Sequence, residues 1–133
     1  MDQFDDKEIQ IGKQVLHEDD LVINVSYKGE QFALRYPDPG IETAIQTEVA
    51  RRLGGYPRTS FGPDYLAKLE ALVTIDLLYI PEKCPEWFGG GPFTCYDEEL
   101  ITELYRSYVR FRSKFRENVR KNRFKTPGQD KRA

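Results

Sequence analysis

"LVINVSYKGEQFALRYP", residues 21–37, decides the fold. Alternate residues of a strand point to the same side. Ile23, Val25 and Tyr27 therefore share one face of a first strand, and Phe32, Leu34 and Tyr36 share one face of a return strand. Gly29 supplies the turn between them. The reading is a β-hairpin over residues 21–36, bounded by "PDPG" at 37–40, which no strand continues through.

Downstream the period changes from two to nearly four. Ile41, Ile45, Val49 and Leu53 form one stripe, which predicts a helix over 41–53 closed by Gly54 and Gly55. Pro63 and Asp64 suit the start of a second helix, predicted over 64–80 and stopped by Pro81. Leu66, Leu69, Val73, Leu77 and Ile80 make its main face, widened by Tyr65, Leu72 and Tyr79. Ile75 and Leu78 point elsewhere, so this helix is expected to be covered on more than one side. A turn-rich connection follows, "PEKCPEWFGGGPFTCYD" at 81–97. Thr94 or Asp97 can cap a last helix over 97–122, whose acidic start suits a helix N-terminus. The expected fold class is α+β: an N-terminal β-hairpin packed on about three α-helices, the last long and basic. The expected organisation is an acidic arm at 1–20 holding at most a short strand near 9–15, a single domain at 21–122, and a basic tail at 123–133.

The chain has 133 residues, and its 39% hydrophobic and 13% aromatic content is enough for a core, which favours a globular fold over disorder. Its net charge of −2 is unevenly spread. Residues 106–132 hold eleven basic and two acidic side chains, whereas the 105 residues before them hold nine basic and twenty acidic. No run of apolar residues is long enough to span a membrane, and the polar N-terminus does not read as a secretory signal. Cys84 and Cys95 are too few for a disulfide scaffold; they could bridge, but reduced thiols are the expectation.

The basic residues sit on the last helix. Ile101, Leu104, Tyr108, Phe111, Phe115 and Val119 form its apolar stripe, bordered by Tyr105 and Val109. Arg106, Arg110, Lys114, Arg120 and Lys121 lie outside the stripe, with Arg112 and Arg116 at its margin. Three uses compete. The helix could pair with acidic surfaces of its own fold, dock on an acidic protein or the acidic N-terminal half of a second copy, or contact nucleic-acid phosphates. Nucleic acid ranks last, because the aromatics fall on the apolar stripe and do not interleave with the cations as stacking platforms would.

Other candidates are weaker. The "WFGGGPF" run lacks phosphate-loop spacing, and Pro92 removes an amide donor. Trp87, Phe88 and Phe93 either cap the core or, if exposed together, mark a binding surface. His17 lies in the polar arm, away from either cysteine in sequence, so neither zinc coordination nor a Cys–His nucleophile is expected. No catalytic residue, metal or cofactor is assigned. Asp76 interrupts an apolar face and needs a cation, with Arg106 or Arg110 as expected partners, unless it stands at the solvent edge.

The hairpin "INVSYKGEQFALRYPDPG" and the aromatic-basic helix "ELYRSYVRFRSKFR" together resemble small proteins of the tail-morphogenesis modules of tailed bacteriophages, tail assembly chaperones in particular. The "G-x-x-F-x-L-R-x-P" pattern at 29–37 and the "L-Y-x-x-Y" pattern at 104–108 carry the likeness, which covers residues 20–120 in outline. The resemblance implies a non-enzymatic protein that binds a helical tape-measure protein or tail-tube subunits in the host cytoplasm, or a structural component of the tail or baseplate within the virion. On that reading the expected contact residues are Arg106, Arg110, Lys114, Arg120, Lys121, Trp87, Phe88 and Phe93. Self-association of the basic helix with the acidic half is a second expected contact. A small nucleic-acid-binding protein is the alternative from another class.

Overall fold

The computed structural model describes residues 8–11 and 14–121. The fold is α+β, as the alternating and helical periods require. Strands β1 (Glu8–Ile11) and β2 (Gln14–His17) pair antiparallel, as do β3 (Val22–Tyr27) and β4 (Glu30–Arg35). Three helices follow: α1 (Pro39–Arg52), α2 (Pro63–Leu78) and α3 (Glu98–Arg120).

The second hairpin has the expected register, with Val25 opposite Phe32 and Ile23 opposite Leu34. Its turn needs left-handed backbone at both central residues, and Lys28 and Gly29 provide it with φ of 49° and 83°. Ile23, Val25, Phe32 and Leu34 are buried against helix side chains that include Val49, Val73, Ile75, Leu100 and Leu104. Ala33 faces the other way yet is buried too. The chain leaving α2 covers it: Tyr79 bridges to Leu34, and the amide of Ile80 donates to the Ala33 carbonyl at 2.9 Å.

Each helix start has an identifiable cause. The Asp38 carboxylate accepts the Ile41 amide at 2.8 Å and Pro39 presets the first turn of α1. Asp97 accepts the Leu100 amide at 3.2 Å to cap α3, and the same oxygen accepts the Tyr27 hydroxyl at 3.3 Å, so this cap also ties the long helix to β3. Thr94, the other candidate cap, donates to the Gly91 carbonyl inside the preceding loop.

Three expectations are corrected. The segment read as an arm carries the β1–β2 hairpin, followed by a 3-10 turn over Glu18–Leu21, and Leu16 is buried. Residues 1–7 and the expected tail at 123–133 lie outside the described residues. Helix α2 is rotated relative to its predicted main face: Leu69, Val73, Thr74, Ile75 and Leu78 are buried, whereas Leu77 is 40% exposed and Tyr65 is 49% exposed. The hairpin and the 81–94 loop pack on the side that carries Ile75 and Leu78, and that second covering outweighs the wider stripe through Leu77. Tyr79 and Ile80 are extended and do not belong to the helix.

Candidate partner-binding surface

Helix α3 places its residues by period. Leu100, Ile101, Leu104 and Tyr108 are buried, and from Phe111 onward the apolar stripe is only half-buried. Tyr36 follows β4 and anchors this distal part. Its ring lies 4.7 Å from that of Phe115, 5.4 Å from Phe111 and 6.2 Å from Tyr108. Burial pushes the Tyr36 phenol above its ordinary pKa, against the pull of the Arg116 guanidinium.

The predicted cations divide into two groups. Glu103 faces Arg106 and Arg110, each at 3.4 Å, and Glu117 holds Lys121 at 2.8 Å. All of these pairs are solvent-exposed and contribute little to stability. Lys114 and Arg120 are exposed and make no ion pair among the described residues. Arg116 reaches across to Glu42 of α1 at 3.8 Å, and Arg112 lies over the Tyr108 ring at 5.3 Å from its centroid.

Between α2 and α3 runs an open groove of about 630 Å³. Ala67, Ala71 and Leu72 line one wall, Ile101, Tyr105 and Val109 the other, and Pro92 and Phe93 close one end. The alanines make the groove: a larger residue at 67 or 71 would fill it. Its rim is charged, with Lys68 paired to Glu98 at 3.1 Å and Arg106 beside Thr102. A surface that is apolar along its floor and ionic at its edge can hold an amphipathic helix.

The glycine loop splits the three predicted aromatics. Phe88 is 1% exposed, packed edge-on against Phe32 and Tyr79, and belongs to the core. Its place among the contact residues is therefore corrected: a buried ring offers nothing to a partner. Trp87 is 55% exposed and donates its indole N–H to the Glu30 carboxylate at 3.1 Å. Phe93 is 37% exposed, lines the groove, and carries the Arg52 guanidinium 4.0 Å above its ring centroid. Of the expected contact residues, Phe93 and Arg106 border the same hollow; Trp87 stands apart on the β4 side.

Asp76 makes no ion pair among the described residues, with Arg106, Arg110 or any other cation. Burial raises its pKa, and the guanidinium that opposes this rise is Arg52 of α1, with Glu48 adding to it. Helical projection places α3 beside Asp76, but the loop through Gly91 intervenes. Glu48 holds Arg51 at 2.6 Å and Arg52 at 2.8 Å, and these contacts, Arg51 first, depress its pKa to about 2. His17 is a cap: its ring nitrogen accepts the Asp19 amide and its own amide donates to Asp20. Cys84 and Cys95 are half-buried free thiols. Among the described residues no group of three His, Cys, Asp or Glu side chains is placed to hold a metal ion, and no helix is long and apolar enough to cross a membrane.

Sequence reasoning missed the groove. Its signal was present as the small residues Ala67 and Ala71, four apart on one face of α2, but only the path of α3 makes them a floor. No protein-family model, curated protein or solved structure matches the chain.

Proposed function

We propose that this chain is a non-enzymatic protein-binding factor of phage tail assembly that holds an acidic, apolar-faced helical segment in the α2–α3 groove. The groove itself carries the reading: an open, apolar hollow of about 630 Å³ lies beside a helix whose exposed side is cationic. The floor accepts the apolar face of the guest. Arg106 and Arg110, already exposed and weakly held by Glu103, exchange a solvated pair for acidic side chains of the guest. The resemblance to tail-morphogenesis proteins supplies the class of partner, a helical tape-measure protein or a tail-tube subunit met in the host cytoplasm, with a structural place in the virion as a variant.

The test is co-expression with tape-measure and tail-tube proteins, followed by pull-down. Capture of either protein is expected. Val109→Asp, which sets a charge in the groove wall, should weaken capture tenfold or more, a loss of about 1.4 kcal/mol typical of a central contact. Changing Arg110, Lys114, Arg120 and Lys121 together to Glu should weaken it without unfolding the domain. Failure to capture either protein would end the tail-assembly reading.

A further inference from the structure

A second hollow, about 200 Å³, lies on the other side of Tyr105, at the junction of all three helices. It is polar where the groove is apolar. Glu42 and Gln46 come from α1, Glu70 and Thr74 from α2, and Tyr105, Tyr108, Arg112 and Arg116 from α3. Tyr105 lines both hollows and forms their common wall.

The hydrogen-bond balance of this cleft is incomplete. Thr74 is 3% exposed and Tyr108 is 4% exposed, yet neither hydroxyl has a hydrogen-bond partner among the described residues. Buried hydroxyls without partners are uncommon and costly. Arg112 is half-buried on the Tyr108 ring and donates no hydrogen bond to any described residue. Each carboxylate of the cleft has one polar neighbour. Glu42 faces Arg116 at 3.8 Å, and Glu70 accepts the Gln46 amide at 3.4 Å. Three donors therefore line one small space without a hydrogen-bond partner among the described residues.

We infer that this cleft is a socket for a single carboxylate, delivered on a glutamate or aspartate side chain of a bound protein. A guanidinium with two hydroxyls beside it is a complementary donor set for a carboxylate. The volume suits one short side chain. Glu42 and Glu70 at the edge disfavour a doubly charged phosphate more strongly than a singly charged carboxylate, and since Arg116 already faces Glu42, Arg112, which makes no ion pair among the described residues, is the cation left for that group. The inference rests on the protein-binding reading for the source of the carboxylate and adds to it a specificity element, because the apolar groove alone selects any amphipathic helix of suitable size.

The test does not need the partner. The full chain, labelled with 15N, is titrated by NMR with N-acetyl-glutamate N-methylamide, its glutamine counterpart, and free glutamate. Saturable shifts at the Thr74 amide and the Arg112 side-chain Nε–H are expected with the acid, and affinity at least tenfold lower with the glutamine counterpart. Arg112→Gln should also cost tenfold or more, while Thr74→Val, which keeps shape, should cost several-fold. Equal binding of acid and amide, or acid binding unchanged in both variants, would overturn the socket. Free glutamate binding tenfold more tightly than the blocked form would overturn the assignment to a protein side chain in favour of a free amino acid. An acid-selective titration beside a failed pull-down would sink the tail-assembly reading and leave the socket standing. A pull-down that succeeds while the titration shows no acid preference would do the reverse.

Discussion

Gly91 has φ of 83° and ψ of 179°, a backbone conformation that side-chain-bearing residues rarely adopt, and a Cβ there would lie 2.8 Å from an Asp76 carboxylate oxygen. Gly29 also has φ of 83°, but a Cβ there meets nothing within 4 Å. The two separate backbone strain from crowding. Gly29→Ala should cost about 1 kcal/mol from the left-handed backbone alone, and Gly91→Ala about 3 kcal/mol once strain and the displaced carboxylate add, read from urea denaturation midpoints. Asp76 and Glu48 should titrate in opposite senses. Burial raises Asp76 above its ordinary 3.8, so its contribution is present in full below that value and is lost as pH rises through the raised one. Asp76→Asn should therefore gain on the unaltered protein as pH rises from about 4 to 7. Glu48 is depressed from 4.5 to about 2, so its contribution is present above 4.5 and lost as pH falls through about 2. Glu48→Gln should be the less stable protein at neutral pH, with the difference closing in acid.

Among the elements, α2 separates pattern from packing most clearly. Ile75 is 0% exposed and Leu77 is 40% exposed, although the apolar stripe read from the chain puts Leu77 on the main face and Ile75 off it. Ile75→Ala should cost about 3 kcal/mol and Leu77→Ala under about 1 kcal/mol, measured by chemical denaturation. The β3–β4 hairpin and the starts of α2 and α3 were legible because their signals are local. Val25 and Phe32 sit on alternating strands joined through Gly29, Pro63 begins α2, and Asp97 stands before two glutamates; α1, read from Ile41, begins two residues earlier, where Asp38 caps it. The rotation of α2 was not legible. It depends on the chain after Leu78 folding back along β4, a contact between residues far apart in sequence. The same holds for the candidate site. The cations of α3 were visible as a run, but the groove needs Ala67 and Ala71 to face Ile101 and Val109, and the cleft needs Thr74 to meet Arg112. The hairpin within the expected arm was missed because its strands are only four residues each, too short for an alternating period to stand out.

At the scale of the whole molecule, charge is separated along the chain and the fold preserves the separation: the distal part of α3 stays exposed and basic while most carboxylates lie elsewhere. Association with an acidic protein should weaken as salt rises, with the change mainly in the association rate, measured by surface plasmon resonance across a salt series. Duplex DNA gives the contrasting expectation. A chain that engages several phosphates would show a steep log–log slope against salt, whereas weak binding at low salt and a shallow slope are expected here, because Phe111 and Phe115 pack with tilted rings against Tyr36 and are not free as platforms for bases. The short contact between Leu34 and Tyr79 has a further meaning for how the chain reaches this state. That bridge closes a loop containing α1 and α2 in full. Both helices can form early from local contacts, but the exit of α2 can zip onto β4 only after a long segment has paid its closure entropy. By loop closure alone that seam should therefore form after the two helices it encloses, and the Tyr27–Asp97 tie, which closes a longer loop, later still.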